Sequence, residues 1–145
     1  MCSSDLFDKH GNLYGTTYYA GAHDLGTVYK LAPGSDGSWT ESVLYSFKGG
    51  PDGASPISSL VSDAAGNLYG TTSDAGAPSC GCGVIFKLAP GANGSWTESV
   101  AFRFLGQPKP GFAYNGMVGD GAGNFYGATV HGGSGNDGAI YEFTP

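Results

Sequence analysis

Hydrophobic and polar residues alternate in short runs along this chain, and the runs are separated by Gly, Pro, Asn or Asp. The clearest run covers 96–104, where a period of two predicts that four side chains share one face of a strand: Trp96, Val100, Phe102 and Phe104. Shorter runs precede it at about 57–62, 67–73 and 84–89. Short runs bounded by turn residues predict β-strands rather than helices.

The strand pattern is repeated along the chain. The segment 11–17 returns at 66–72 and 123–129, with spacings of 55 and 57 residues. A second block returns in the same order, at 26–33, 83–90 and 138–145. Four antiparallel strands repeated at this interval are typical of a β-propeller blade. The sequence therefore predicts an all-β propeller fragment of about three four-stranded antiparallel blades, the last of them incomplete.

The repeat also sets the predicted boundaries. Blade 1 is expected at 7–47, blade 2 with its linker at 48–104, and a partial blade 3 with its linker at 105–145. Residues 1–6 match what the end of a widely used sequencing adapter encodes, so we interpret them as a non-native N-terminal scar. Tyrosines recur at the same place in each copy and are expected to pack between blades: Tyr14, Tyr69 and Tyr126.

Three short segments carry the same turn signal, with Asp at the first position and Gly at the fourth. This pattern predicts type I turns closed by a left-handed glycine. The predicted structural turn residues are Asp8 with Gly11, Asp63 with Gly66, and Asp120 with Gly123. Glycine is abundant, at 27 residues, and only 12% of residues are charged, which suits short strands joined by tight turns.

The charge balance narrows the classes of partner. Six Lys and Arg stand against twelve Asp and Glu, which gives a formal charge of −6. A chain without a basic cluster is a poor match for nucleic acid or for an anionic lipid surface. No apolar run has the length of about 20 residues that a membrane helix needs, so no membrane insertion is expected.

The repeated blocks resemble the bacterial GloVer-type tandem repeat, found in proteins called choice-of-anchor. The strings that carry the likeness lie at 11–17, 26–31 and 42–47, with Asp52-Gly53 leading to Pro56. The resemblance covers almost all of 7–145. It implies a propeller-like repeat protein of bacteria that is extracellular or attached to the cell surface, and it implies no established catalytic residues.

The order of strands in a blade places the variable segments together. The repeated 1–2 and 3–4 turns emerge on one face, and the variable 2–3 loops and the connections between blades emerge on the other. The candidate binding residues on this second face are Tyr19, His23, Asp24, Asp74, His131 and Asp137. Neutral variation in exposed loops is the competing interpretation and stays open.

Two further motifs are candidate sites. Cys80 and Cys82 lie in the enlarged 2–3 loop of blade 2, where a local disulfide is a better hypothesis than zinc, since a second ligand pair is missing. Two free thiols remain the alternative. Turn segments such as Asp52-Gly53 make calcium a minor option, but none extends into an EF-hand, so no metal or cofactor is predicted.

The function expected from the sequence is a non-catalytic interaction or structural module. Its partners would be further propeller blades of the full-length protein, together with a glycan or protein ligand at the variable loops. The alternative is a glycan-acting propeller enzyme, a hydrolase or lyase, that uses rim residues such as Asp24, Asp74, Asp137 or His131. Two carboxylates about 5 to 10 Å apart in a concave site would favour that alternative.

Overall fold

The computed structural model of the chain describes residues 6–74, 81–106 and 111–145. Within these ranges every regular element is a β-strand except two short 3₁₀ turns, Gly50–Asp52 and Ala92–Gly94. The described residues contain no helix with the length and apolar character needed to cross a membrane.

The first blade is an antiparallel sheet whose strands pair in chain order. Its strands are β1 (Leu6–Phe7), β2 (Leu13–Thr17), β3 (Thr27–Pro33) and β4 (Trp39–Ser46). The longest pairing, between β3 and β4, runs from Thr27 opposite Ser46 to Pro33 opposite Trp39. Leu6, which falls in the predicted scar, pairs with Tyr14 and packs against the core.

The second blade repeats this order with its innermost strand in two pieces. Its strands are β5 (Ala54–Pro56), β6 (Val61–Ser62), β7 (Leu68–Asp74), β8 (Val84–Pro90) and β9 (Trp96–Arg103). Both β5 and β6 pair with β7. The third blade has three strands, β10 (Val118–Gly119), β11 (Phe125–Thr129) and β12 (Ala139–Phe143). The prediction of three antiparallel blades with an incomplete third is confirmed.

A serine side chain lies in the gap between the two pieces of the innermost strand of blade 2. A continuous run over about 57–62 was predicted, but 57–60 are not in a strand. The Oγ of Ser58 accepts a 2.7 Å hydrogen bond from the backbone N–H of Thr71. A side-chain oxygen thus takes the place that a backbone carbonyl of a continuous strand would occupy.

A β-bulge corrects the predicted face of the outermost strand. Ile85 pairs with Phe102, whereas the next residue, Phe86, pairs with Val100. The extra residue between Val100 and Phe102 reverses the alternation. Trp96 and Val100 consequently pack towards blade 1, and Phe104 packs towards blade 3. The prediction that all of these side chains share one face was wrong, because the period of two does not continue through a bulge.

Two hydrophobic clusters hold the three blades together. Tyr14 and Val28 of blade 1 meet Leu68, Phe86 and other side chains of blade 2 in the first cluster. In the second cluster, residues of blade 2 meet residues of blade 3: Tyr69, Ile85 and Phe104 against Met117 and Phe125. Burial of apolar surface between neighbouring sheets is thus the main source of stability, as expected for stacked repeats.

One hydrogen bond between blades recurs at both interfaces. The hydroxyl of Thr16 donates to the carbonyl oxygen of Ser58 at 3.3 Å, and the hydroxyl of Thr71 lies 3.4 Å from the equivalent carbonyl oxygen of Asn115 and 3.0 Å from that of Ala113. The equivalent residue of blade 3 is Ala128, which has no hydroxyl to donate. The blades of this chain are therefore alike in fold but not identical in how they can contact a neighbour.

Candidate functional site

The face that carries the variable loops is called the rim here. It contains the loops between the second and third strands of each blade and the connections between blades, within 18–26, 81–83, 130–138, 47–55 and 111–114. The opposite face, where the 1–2 and 3–4 hairpins emerge, is called the turn face. Of the candidate binding residues named from the sequence, Tyr19, His23, Asp24, His131 and Asp137 lie within these ranges, and Asp74 is the last residue of β7, where that strand reaches the rim.

The loop between the second and third strands of each blade is closed by the same hydrogen bond from a backbone N–H to a threonine side chain, which we call the clasp. The second Thr of the repeat accepts a hydrogen bond through Oγ1 from the first N–H of the next strand: Thr27 to Thr17, Val84 to Thr72 and Ala139 to Thr129, at 3.0 to 3.2 Å. The residues just before these N–H groups are Gly26, Gly83 and Gly138, all with positive φ. The clasp fixes both ends of the loop while its sequence varies.

Two tyrosines form the most exposed aromatic group of the rim between blades 1 and 2. The rings of Tyr18 and Tyr19 meet edge to face with centroids 4.5 Å apart, and 39% and 65% of the two side chains remain exposed. The Tyr18 hydroxyl lies 3.5 Å from Oδ2 of Asp74, at the end of β7. Sequence equivalence identified Tyr19 and Asp74 but missed Tyr18, the residue that reaches the carboxylate.

His131 lies in a second aromatic group, between blades 2 and 3. Its backbone pairs with Gly111 in an isolated antiparallel bridge, and its ring meets Phe112 edge to face at 5.4 Å. Phe112 also lies against Tyr114, at 6.0 Å. The Gly111 bridge is equivalent to the pairing of Ala54 with Asp74 in blade 2. Phe112 carries no sequence signal, since it lies in the variable connection.

Asp24 supports the shape of its own loop. Its Oδ1 accepts a hydrogen bond from the N–H of Ala20 at 3.1 Å, and its φ is positive. In blade 3 the same contact joins the N–H of Gly132 to Oδ1 of Asn136, also with positive φ. Asn136 is therefore the counterpart of Asp24. Asp137 and His23 are exposed on the two loops.

The cysteine pair is described only in part. Cys82 is fully buried in the second hydrophobic cluster and is disulfide-bonded. Cys80, its predicted partner, lies outside the described residues. The Cys82 carbonyl also accepts a hydrogen bond from the N–H of Phe112. The end of the variable loop of blade 2 is thus joined to the connection that leads into blade 3.

The acidic groups of the turn face are occupied by structural hydrogen bonds. Asp63 accepts four of them, from the N–H groups of Ala65 and Asn67, from Nδ2 of Asn67 and from the hydroxyl of Tyr69. Burial raises the pKa of Asp63, but these hydrogen bonds outweigh it and lower the pKa. The same network lowers the pKa of Asp8 to about 2. Gly11, Gly66 and Gly123 have positive φ.

A carboxyl pair lies where the connection between blades 1 and 2 meets blade 2. Asp52 accepts hydrogen bonds from the hydroxyl of Tyr45 at 2.7 Å and from the N–H of Lys48 at 2.8 Å. Burial, the hydrogen bond with Asp52 and the Asp52 charge together raise the pKa of Glu98 to about 8, although Lys48 and Arg103 oppose the shift. A neutral Glu98 can donate its proton to the Asp52 carboxylate.

The described parts of the chain contain no group of three or more His, Cys, Asp or Glu side chains placed to hold a metal ion. The turns that suggested calcium have other contacts. Asp36 accepts hydrogen bonds from the N–H and hydroxyl of Ser38, and Asp52 accepts those described above. These carboxylates therefore already have protein partners in the fold.

The repeat, its three blades and its spacing agree with one family. A family model described as the Gloeobacter/Verrucomicrobia repeat matches residues 1–145. The chain belongs to this repeat family. Comparisons with curated proteins and with solved structures returned no match. The resemblance stated from the 11–17, 26–31 and 42–47 strings is thereby confirmed.

The copies of the Gloeobacter/Verrucomicrobia repeat in this chain share a set of residues. Each repeat keeps the Asp–Asn–aromatic network of the turn face, the Thr–Gly clasp of the rim and the hydrophobic strands between them. The loops between the clasps differ in length and composition. The repeat thus specifies a common scaffold, and the loops of the rim differ most between the copies.

Proposed function

We propose that this chain is a non-catalytic repeat module of a secreted or surface-attached bacterial protein, and that it binds a neutral glycan through its rim. The observation that carries the proposal is the exposed edge-to-face pair of Tyr18 and Tyr19 beside the Asp74 carboxylate. Aromatic faces stack on the apolar faces of sugar rings, and a carboxylate accepts hydrogen bonds from sugar hydroxyls.

The charge of the chain favours a neutral ligand over an anionic one. The formal charge is −6, and the Asp74 carboxylate lies beside the tyrosine pair. An acidic polysaccharide would be repelled, whereas a neutral one would not. The disulfide at Cys82 supports a location outside the cytoplasm, because disulfides persist in oxidising compartments.

Further blades of the same protein are the partners we propose for the end of blade 3. Equivalent side chains are 0% exposed in blade 1 (Val28), 1% exposed in blade 2 (Ile85) and 85% exposed in blade 3 (Ile140). In the first two blades the next blade covers this position. A following blade would bury Ile140 in the same way, which is the logic of stacked repeats.

The rim proposal is tested with soluble neutral polysaccharides of the glucan, xylan and mannan types in affinity electrophoresis. We expect at least one to retard the protein, and the double variant Tyr18→Ala/Tyr19→Ala to lose about tenfold or more in affinity. Trp39→Ala is the matched control, because it removes an equally exposed aromatic residue from β4, away from the rim.

Two results would contradict this proposal. If Trp39→Ala weakens retardation as much as the double tyrosine variant, the rim is not the binding surface. If none of the polysaccharides retards the protein but a protein ligand is captured through Tyr18 and Tyr19, the module binds protein. The enzyme alternative predicts new reducing ends during incubation, and their loss in Asp74→Asn.

A further inference from the structure

We propose that Asn93 is a site of spontaneous chemical modification, at which water converts the asparagine to aspartate and isoaspartate through a cyclic imide. The proposal is independent of ligand binding at the rim, because Asn93 lies on the turn face, between β8 and β9. It rests on a comparison of the six asparagines of the chain, all of which belong to the described residues.

The reaction is an attack of the backbone on the asparagine side chain. The backbone nitrogen of the following residue forms a bond to Cγ of the asparagine, and ammonia leaves with the proton of that nitrogen. Water then opens the ring at one of its two carbonyl carbons, so one water is consumed, one ammonia is released and nothing is oxidised. The peptide between the two residues must rotate about ψ of the asparagine. Contacts that hold this peptide or the side-chain amide therefore slow the reaction.

Two asparagines of the chain are followed by glycine, Asn93 by Gly94 and Asn115 by Gly116. Because glycine has no Cβ, its nitrogen attacks without obstruction from its own side chain. The dipeptide alone thus predicts two equally reactive sites. Their surroundings in the fold separate them.

Asn93 lies in an open turn. Residues 91–95 are all exposed, and Asn93 has a left-handed backbone with φ 58° and ψ 29°. A Cβ atom added to Gly94 would meet nothing within 4 Å. The Asn93 side chain forms no hydrogen bond with another described residue. Both the side-chain amide and the space beside the attacking nitrogen are therefore unobstructed.

Asn115 carries the same dipeptide in a packed setting. Its backbone carbonyl oxygen lies 3.4 Å from the hydroxyl of Thr71, a buried residue. A Cβ atom added to Gly116 would lie 3.0 Å from Oγ of Ser59. Rotation of the Asn115–Gly116 peptide would move this carbonyl away from Thr71 and press the chain against Ser59. The fold consequently protects Asn115.

The other four asparagines have side chains that are held by hydrogen bonds, and none of the four precedes a glycine. In the three Asp-to-Gly turns, Nδ2 donates to a carboxylate at 2.7 Å: Asn12 to Asp8, Asn67 to Asp63 and Asn124 to Asp120. In the rim loop of blade 3, Oδ1 of Asn136 accepts a hydrogen bond from the N–H of Gly132 at 3.0 Å. Asn93 thus combines a following glycine with a free side chain.

The repeat also indicates that the aspartate product fits this turn. The equivalent residue of blade 1 is Asp36, which accepts hydrogen bonds from the N–H and hydroxyl of Ser38. Ser95 stands at the position of Ser38. Modification to aspartate therefore adds one negative charge, from −6 to −7, and retains the hairpin. Isoaspartate has one more carbon in its backbone and lengthens the turn.

The test incubates the whole folded chain in mildly alkaline buffer and follows each asparagine by peptide mass spectrometry. We expect the peptide that contains Asn93 to gain about one mass unit, and isoaspartate methyltransferase to label it. Asn115 should react at least about tenfold more slowly, because it must first be released by local opening. In guanidinium chloride, where the fold is lost, both sites should react at similar rates.

Gly94→Ala tests the attacking nitrogen, and we expect it to slow modification of Asn93. Gly37→Ala is the matched control, since Gly37 lies in the equivalent turn of blade 1 and a Cβ atom there also meets nothing within 4 Å. Circular dichroism establishes that both variants fold. The proposal is overturned if Asn93 stays unmodified in the folded chain, if Asn115 reacts equally fast there, or if the two variants modify Asn93 at the same rate. Failure of Asn115 to react in guanidinium chloride would also overturn it, because the fold would then not be what distinguishes the sites.

Discussion

The turn face and the rim both depend on repeated glycines, yet the two sets of glycines meet different requirements. Gly66 of the turn face and Gly83 of the rim have the same φ, +82°. A Cβ atom added to Gly66 would meet nothing within 4 Å. A Cβ atom added to Gly83 would collide with the carbonyl oxygen of Thr72. The first glycine is required for its conformation, and the second for its conformation and its size.

This difference explains why the loops of the rim vary more between copies than the 1–2 turns do. On the turn face, the whole turn is specified by a short Asp-to-Gly segment whose side chains bond to one another. On the rim, only the two ends of each loop are specified, by a threonine and a glycine in contact. The residues between those ends are free to differ without disturbing the strands, which is how a repeat can carry a distinct surface on each blade.

Substitution of these two glycines gives the largest expected effect. We expect Gly83→Ala to lower the free energy of unfolding by about 4 kcal/mol or more, because strain in φ adds to a backbone clash that no side-chain movement relieves. Gly66→Ala should cost only about 1 to 2 kcal/mol, the penalty of a left-handed alanine. Urea denaturation of both variants measures the difference.

The pair is its own control, since φ and the substitution are the same. Equal losses for Gly83→Ala and Gly66→Ala would show that the clasp tolerates a methyl group. The distinction between turn-face glycines, required for their conformation, and rim glycines, required also for their size, would then be wrong.

The second expected effect concerns the network that defines the turn face. Asp63→Ala removes the acceptor of four hydrogen bonds. The hydroxyl of Tyr69, a buried residue, then loses the carboxylate to which it donates. We expect the free energy of unfolding to fall by about 2 kcal/mol. Asp36→Ala is the control, because Asp36 is an exposed hairpin residue that bonds only within its own turn, to Ser38. A loss for Asp36→Ala as large as that for Asp63→Ala would contradict the special role of the Asp–Asn–Tyr network.

Much of the fold could be predicted from the sequence because each blade is specified locally. The recurrence of 11–17 and 26–33 located the second and third strands of every blade, and Asp-to-Gly spacing located the turns. Local departures from regular strand pairing could not be predicted, because the hydrophobic pattern does not reveal them. The bulge beside Val100 reverses the face on which the later side chains lie without altering the hydrophobic pattern, and residues 57–60 are not in a strand although the sequence predicts a continuous one there.

The sequence predicts which face of the blades carries the candidate site, but not which side chains lie together on it. Repeat equivalence placed Tyr19, Asp74 and His131 on the rim, and the structure puts each near an aromatic neighbour or a carboxylate that equivalence does not reveal. Phe112 lies in the variable connection, where copies cannot be compared. The Asp52–Glu98 contact joins residues that are distant in sequence, and no local motif encodes it.

The smallest expected effect separates the turn face from the Asp52–Glu98 pair by their response to pH. Turn-face carboxylates such as Asp8, whose pKa is lowered from 3.8 to about 2, stabilise the fold above pH 3.8, and this contribution is lost as the pH falls towards 2. The raised pKa of Glu98 acts in the opposite direction. Its contribution is fully present below pH 4.5 and is lost as the pH rises towards 8, because the folded state retains a proton that the unfolded chain releases.

Glu98→Gln should therefore flatten the decline in unfolding free energy between pH 4.5 and 8 and leave the acid limb unchanged. Glutamine keeps a donor for Asp52 without titrating, and the groups that face the pair, Tyr45, Lys48 and Arg103, are retained. Because Glu98 is half-exposed, we expect a difference of only about 1 kcal/mol across this range. Glu41→Gln, at the exposed equivalent position of β4, is the control for denaturation at each pH. A profile of Glu98→Gln parallel to that of the unmodified chain would show that the carboxyl pair does not share a proton.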